Sequence, residues 1–176
     1  PPDAAAIFKA LYLQELERAG MPRAALARAP ALAAEAAVWV ADLEARRRAD
    51  GRALHVEKEG QITLEVAGRP FTLAAKADRI EVSPDGLGHV LDYKTGRAPS
   101  KRMVQTGFSP QLTLTAAIMA RGGFADVGNV EPGDLTYLEV TGRRPAGREE
   151  VRAAATGDND EVLNSRDAAD RALDGM

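Results

Sequence analysis

The sequence predicts an α/β or α+β chain, a small mixed β-sheet flanked by helices. Three observations predict it. Apolar residues recur at helical spacing up to Ala49. After Gly51 the period changes from 3.6 to 2. The strand-like segments then cluster in the middle, and one helical stretch precedes the last of them, which is unlike the regular βαβ alternation of a doubly wound fold.

Each element has its own signal. Asp3 is positioned to cap a helix over 4–19, with Ile7, Phe8, Leu11, Tyr12 and Leu16 as its apolar stripe and Gly20 and Pro22 as its stop. A second helix is predicted over 31–49, burying Leu32, Ala36, Trp39, Val40 and Leu43. It closes on Arg46, Arg47 and Arg48, where cations complement the helix C-terminus. Residues 54–59 and 61–66 alternate apolar and polar, Gly68-Arg69-Pro70 turns, and 71–82 resumes the strand pattern. Ser83-Pro84-Asp85-Gly86 is a strong turn. Residues 89–94 form the next strand, followed by a loop through Gln105. Ser109-Pro110 reads as an N-cap followed by proline at the first helical position, opening a helix to about Arg121 that stops at Gly122-Gly123. Residues 135–140 are a last strand. Residues 1–148 are expected to form one domain, truncated at its N-terminal side, and 149–176 an acidic, partly helical tail.

Composition excludes several classes. With 176 residues and 45% hydrophobic content, of which 34 residues are Ala, the larger apolar side chains suffice for one core. There is no Cys, so disulfides, thiolate zinc, iron–sulfur clusters and thiol nucleophiles are excluded from this segment. His55 and His89 lie far apart and lack companions with ligand spacing, so each reads as structural. No apolar run reaches the ~20 residues of a membrane span, no signal peptide is visible, and a cytoplasmic location without membrane partners is expected. The net charge of −3 neither demands nor forbids nucleic acid. No phosphate-cradling glycine motif is present.

The informative stretch is Ala77-Asp78-Arg79-Ile80, a turn, then Leu91-Asp92-Tyr93-Lys94-Thr95-Gly96. Asp92 and Lys94 share a strand face, with the ammonium about 7 Å along. Asp78 lies on the preceding strand and can stand beside Asp92. Two carboxylates at a sheet edge suit a hard divalent cation that completes its shell with water and substrate phosphate. A nearby Lys suits charge developing on a phosphorane. An acid-x-Lys triplet alone is commonplace in a chain with 26 acids and 5 Lys; the second acid on the neighbouring strand is what raises it above a surface ion pair.

These residues, with Gln111-Leu112 opening the following helix and Thr136-Tyr137-Leu138-Glu139-Val140 after it, resemble the RecB-type nucleases of the PD-(D/E)XK superfamily over about Ala31 to Gly142. Within that group they are most similar to the C-terminal nuclease domains of the AddB family in its alphaproteobacterial form. The resemblance implies a restriction-endonuclease-like core and Mg2+, or alternatively Mn2+, as cofactor. It implies Asp78 and Asp92 as metal-binding acids with the Tyr93 backbone carbonyl as a further ligand, and Lys94 as the catalytic lysine. Gln111 is implied as a supporting residue, and Glu57 as an acid on the first strand. It implies phosphodiester hydrolysis on a DNA single strand unwound at a double-strand break, with the AddA subunit and the rest of AddB as partners.

Two departures stand out. Thr115 occupies the position, four residues after Gln111, where the pattern often has Tyr. Neither His55 nor His89 lies on an early helix, where RecB-type sites draw a His ligand, so this segment is expected to bind metal weakly and to cut little by itself. Arg79 reads equally as a neutraliser of the acid pair or a phosphate contact. Arg97, Lys101 and Arg102 lie on the loop beyond Lys94, within reach of a bound strand's phosphates, and read equally as a solvated loop. The alternatives are a non-catalytic DNA-guiding or docking module with a nuclease-like fold, and a stand-alone RecB-type exonuclease.

Overall fold

The computed structural model describes residues 3–175. The chain divides into two compact units: one comprises the residues up to 50 with 94–97 and 139–148, and the other 51–93, 98–138 and the residues from 149 on.

In the first unit, α1 (Ala4–Arg18) packs against α3 (Ala29–Ala49), with a short α2 (Arg23–Leu26) between them. The buried positions of α3 are Ala29, Ala33, Ala36, Ala37 and Leu43. The stripe is thus narrower and smaller than the one predicted: Leu32 is exposed and Trp39 and Val40 are half-buried. Alanines on the contact face let helix axes approach closely, which pushes the bulky neighbours to its margin. Trp39 instead lies over Gly147, where an added Cβ would stand 2.4 Å from the indole. Asp3 makes no side-chain capping bond.

The second unit carries most of a six-stranded sheet in the order β1-β2-β3-β4-β5-β6. Its strands are β1 (Ala53–Val66), β2 (Arg69–Val82), β3 (Leu87–Lys94), β4 (Glu131–Val140), β5 (Gly147–Ala154) and β6 (Leu163–Asn164). β1–β2 and β2–β3 are antiparallel and β5–β6 is parallel, so the sheet is mixed. The two segments predicted over 54–66 are one continuous strand. The loop predicted to run through Gln105 contains a helix, α4 (Lys101–Gln105), capped by Ser100, whose side chain accepts from the Met103 N–H at 3.3 Å. α5 (Gln111–Met119) begins after Pro110, one position later than the Ser109 cap predicted.

Residues 149–176, read as an acidic tail, form most of β5, then β6 and α6 (Ser165–Asp174), and bury Ala153, Leu163, Ala168 and Ala169 in the main core. That core also holds Ile62, Ala77, Ile80, Val90, Leu112, Ile118, Phe124, Leu135 and Tyr137. α5 is buried on nearly every side, so its sequence is apolar nearly all round, with Thr113 and Thr115 inside as well. β3 lies close beneath it: a Cβ at Gly88 would stand 2.6 Å from the Met119 sulfur.

Candidate metal and phosphodiester site

β2 changes phase at Asp78. Leu73, Ala75 and Ala77 face the core at the strand period of two, but the next core residue is Ile80, three positions on. Side-chain alternation alone cannot do that. The slip coincides with a gap in the β1–β2 ladder, whose register is the same on either side: Val56 pairs with Arg79 and Lys58 with Ala77, leaving Glu57 bracketed opposite Asp78 without a registered pair. Glu57 has φ +52°, a left-handed conformation uncommon outside glycine. A local distortion of this kind re-aims a side chain out of the pleat.

The re-aimed group is the Asp78 carboxylate. The β2–β3 ladder runs from Val82↔Gly88 to Arg79↔Leu91, and the same register brings Asp78 opposite Asp92. At this point a side chain takes over from the backbone: Asp78 Oδ2 accepts from the Tyr93 amide at 3.0 Å. The carboxylate of Asp78 therefore sits against the peptide joining Asp92 to Tyr93.

Asp92 is 3% exposed. Val90, two residues earlier on the same strand face, belongs to the core cluster, so Asp92 continues a core-facing row to its edge. Burial is the main cause that pushes the Tyr137 phenol on β4 up to about 12; the Asp92 charge adds to it and Arg152 opposes it. The Asp92 carboxylate thus lies among buried groups, where an anion is costly without a cation or donors to receive it. Lys94 ends β3, half-buried, two residues beyond Asp92.

The donors fit a divalent cation such as Mg2+. Two carboxylates and a backbone carbonyl are hard oxygen ligands, and Mg2+ usually takes one or two protein carboxylates, leaving its other positions to water and substrate. Among the described residues no group of three or more His, Asp or Glu gathers at one point, so any affinity here comes from few protein ligands.

The other expected residues are placed as follows. Glu57, exposed, pairs with Lys76 at 2.5 Å, and that pairing raises the Lys76 ammonium above its ordinary value. Gln111 is the exposed first residue of α5. Arg97 and Arg102 are exposed. Lys101 donates to the backbone carbonyls of Asn159 and Asp160, which ties its ammonium to the loop before β6. Arg79 is 4% exposed, pairs with Glu81 and donates to the Tyr93 hydroxyl at 3.0 Å. Its burial takes it away from a bound strand's phosphates. His89 is buried between Ser83 Oγ, 3.1 Å from Nε2, and the Asp134 amide, which donates to Nδ1 at 2.9 Å.

Sequence reasoning missed Glu81, the buried partner of Arg79. The signal for Glu81 was available: Arg79-x-Glu81 on a strand places opposite charges on one face.

The family description "PD-(D/E)XK nuclease superfamily" matches residues 1–176. An uncharacterized protein of Rickettsia bellii is 30% identical over 112 residues, 56% of this chain and 14% of that protein. An uncharacterized protein of Rickettsia typhi is 33% identical over 96 residues, 53% of this chain and 11% of that one. The matched region is thus a small fraction of each relative's length. Among solved structures, one titled "Crystal structure of SSO0001" is similar with a TM-score of 0.42 and 16% identity, over 94% of this chain and 68% of that one.

Proposed function

The chain belongs to the PD-(D/E)XK nuclease superfamily, and we propose that it hydrolyses DNA phosphodiesters with Asp78, Asp92 and Lys94 as its reacting site. The observation that carries this reading is the Asp78 carboxylate bonded to the Tyr93 amide, which joins the two halves of an acid…acid-x-Lys pattern across adjacent strands.

Asp78, Asp92 and the Tyr93 carbonyl would hold Mg2+ or Mn2+. The chemistry a bound divalent ion supplies is polarisation of the phosphoryl oxygen and acidification of a water. Lys94 contributes a compact ammonium whose three donors orient a nucleophile and offset charge growing on the phosphorane. Gln111, at the exposed start of α5, supports the path of the strand, and Arg97 and Arg102 supply cations for phosphates, which position nucleic acid without reading sequence. Glu57, paired with Lys76 beside Asp78, serves as a supporting acid.

At the level of the whole protein, we propose an AddB-like role. The domain would cut a single strand delivered by a helicase–nuclease complex during double-strand-break repair, with an AddA-like subunit and the remainder of its own polypeptide as partners. What supports this is the resemblance of the motifs over 31–142 to the RecB-type nucleases.

The test is Mn2+ binding by the 176-residue chain, with cleavage of end-labelled single-stranded DNA followed at high metal concentration. Asp92→Ala abolishes both on this reading. Binding and cleavage that survive the substitution at parental levels would refute it.

A further inference from the structure

We propose that Arg79 is a positioning residue, whose guanidinium holds the Tyr93 ring and thereby fixes the backbone between Asp92 and Lys94. This rests on the reading of Asp78 and Asp92 as the metal-binding acids.

The guanidinium is committed to two partners through three of its nitrogens. Nε donates to Glu81 Oε1 at 2.7 Å and Nη2 lies 2.6 Å from the same oxygen. Nη1 donates to the Tyr93 hydroxyl at 3.0 Å. Glu81, 1% exposed, is held from its other side by Arg52 at 3.2 Å. A planar fork clamped on a buried carboxylate has little freedom left, so the direction of its Nη1 donor is set by that clamp.

Tyr93 is different. It is 38% exposed, so packing alone does not fix its ring. Its hydroxyl is the anchor. Its Cα lies between Asp92 and Lys94, and its amide donates to Asp78. Asp78 and Arg79 are consecutive. A closed ring of bonds follows: from the Asp78 carboxylate to the Tyr93 amide, through the Tyr93 side chain to the Arg79 guanidinium, and along the Arg79 backbone to Asp78. Loosening the hydroxyl contact opens that ring where the Tyr93 carbonyl would serve as a ligand. Partners that orient ligands in this way commonly govern metal affinity by about tenfold or more.

Tyr93→Phe removes only the hydroxyl, and its exposed position leaves folding intact. Two readouts on the full chain test the role: Mn2+ affinity by water-proton relaxation, and hydrogen exchange of the residue 93 amide in metal-free protein. The expected result is faster exchange together with Mn2+ affinity lowered roughly tenfold, at an unchanged thermal midpoint. Arg79→Lys keeps a cation on Glu81 but loses the fork, and shifts both readouts the same way. Parental values of both in Tyr93→Phe overturn the proposal. Faster exchange with unchanged Mn2+ affinity overturns it too, because the contact then shapes the backbone without serving the site. Asp92→Ala separates the two readings. If that variant binds Mn2+ like the parent, the acid pair itself is misassigned. If it loses Mn2+ while Tyr93→Phe keeps both parental values, the acid pair stands and only the positioning role falls.

Discussion

Along β2, Lys76 pairs with Glu57 in open solvent, their side chains 57% and 64% exposed, whereas three residues on Arg79 pairs with Glu81 at 5% and 1%. The outer pair joins a second surface pair, Lys58 with Asp126 at 2.5 Å, which lowers the Asp126 carboxyl below its ordinary range. The same residue types thus do different things a few positions apart on one strand. In water, ion pairs are screened and contribute little. Under the sheet, each charge needs its partner, because losing one strands the other in low dielectric. The boundary between the two regimes is Asp78, where the strand changes phase and the candidate site begins.

Breaking the inner pair has the largest expected effect. Glu81→Ala leaves Arg79 and Arg52 facing each other without their shared carboxylate, and is expected to cost about 3–5 kcal/mol of stability. Chemical denaturation with linear extrapolation measures it. A loss no larger than that of a surface substitution would remove the distinction between the two ends.

Lys94 comes next and reports on rate. Lys94→Ala is expected to slow single-turnover cleavage by about 10²–10³, roughly 3–4 kcal/mol, at saturating metal and DNA. Lys94→Arg does not restore it, since a guanidinium is planar and differently aimed. If raising the DNA concentration recovers the rate, Lys94 acts in binding instead.

A smaller effect sharpens where the rigid end lies. Gly88→Val drives a side chain into Met119 and Val130, both within 3 Å of an added Cβ, and overpacking of this kind costs about 1–3 kcal/mol. A shift in thermal midpoint without loss of Mn2+ binding places Gly88 in the scaffold only.

The smallest effect belongs to the outer end. Lys76→Ala should leave the denaturation midpoint unchanged at moderate salt. A clear destabilisation there would show that the hairpin's surface pairs hold the strand's phase.

Much of this was legible in the sequence. Helical and strand periods located α1, α3, β2 and β3, and the turn at residues 83–86 correctly joined the last two. The rest depended on distant residues. β1 reads as two segments because Gly60 interrupts the pattern, yet Gly60 is required: the Phe124 ring stands 2.4 Å from where its Cβ would be. A helix in the tail was expected and α6 lies there, but β5, β6 and the burial of the tail were hidden by acidic exposed faces that outweigh the small residues Ala153, Ala168 and Ala169 buried beneath. The phase slip at Asp78 had no local signal, because Glu57, twenty-one positions earlier, forms the other half of the distortion. Arg79 was placed beside the acid pair, but alternation shows its partner as Glu81, on its own strand face.

The central claim is that Asp78 and Asp92 converge on one cation. Crystals of the chain soaked in Mn2+ test it by anomalous scattering. The account predicts one peak about 2.1–2.2 Å from a carboxylate oxygen of each aspartate, with the Tyr93 carbonyl in the same shell. A peak bound to only one of the two, or density elsewhere and none between them, would contradict it.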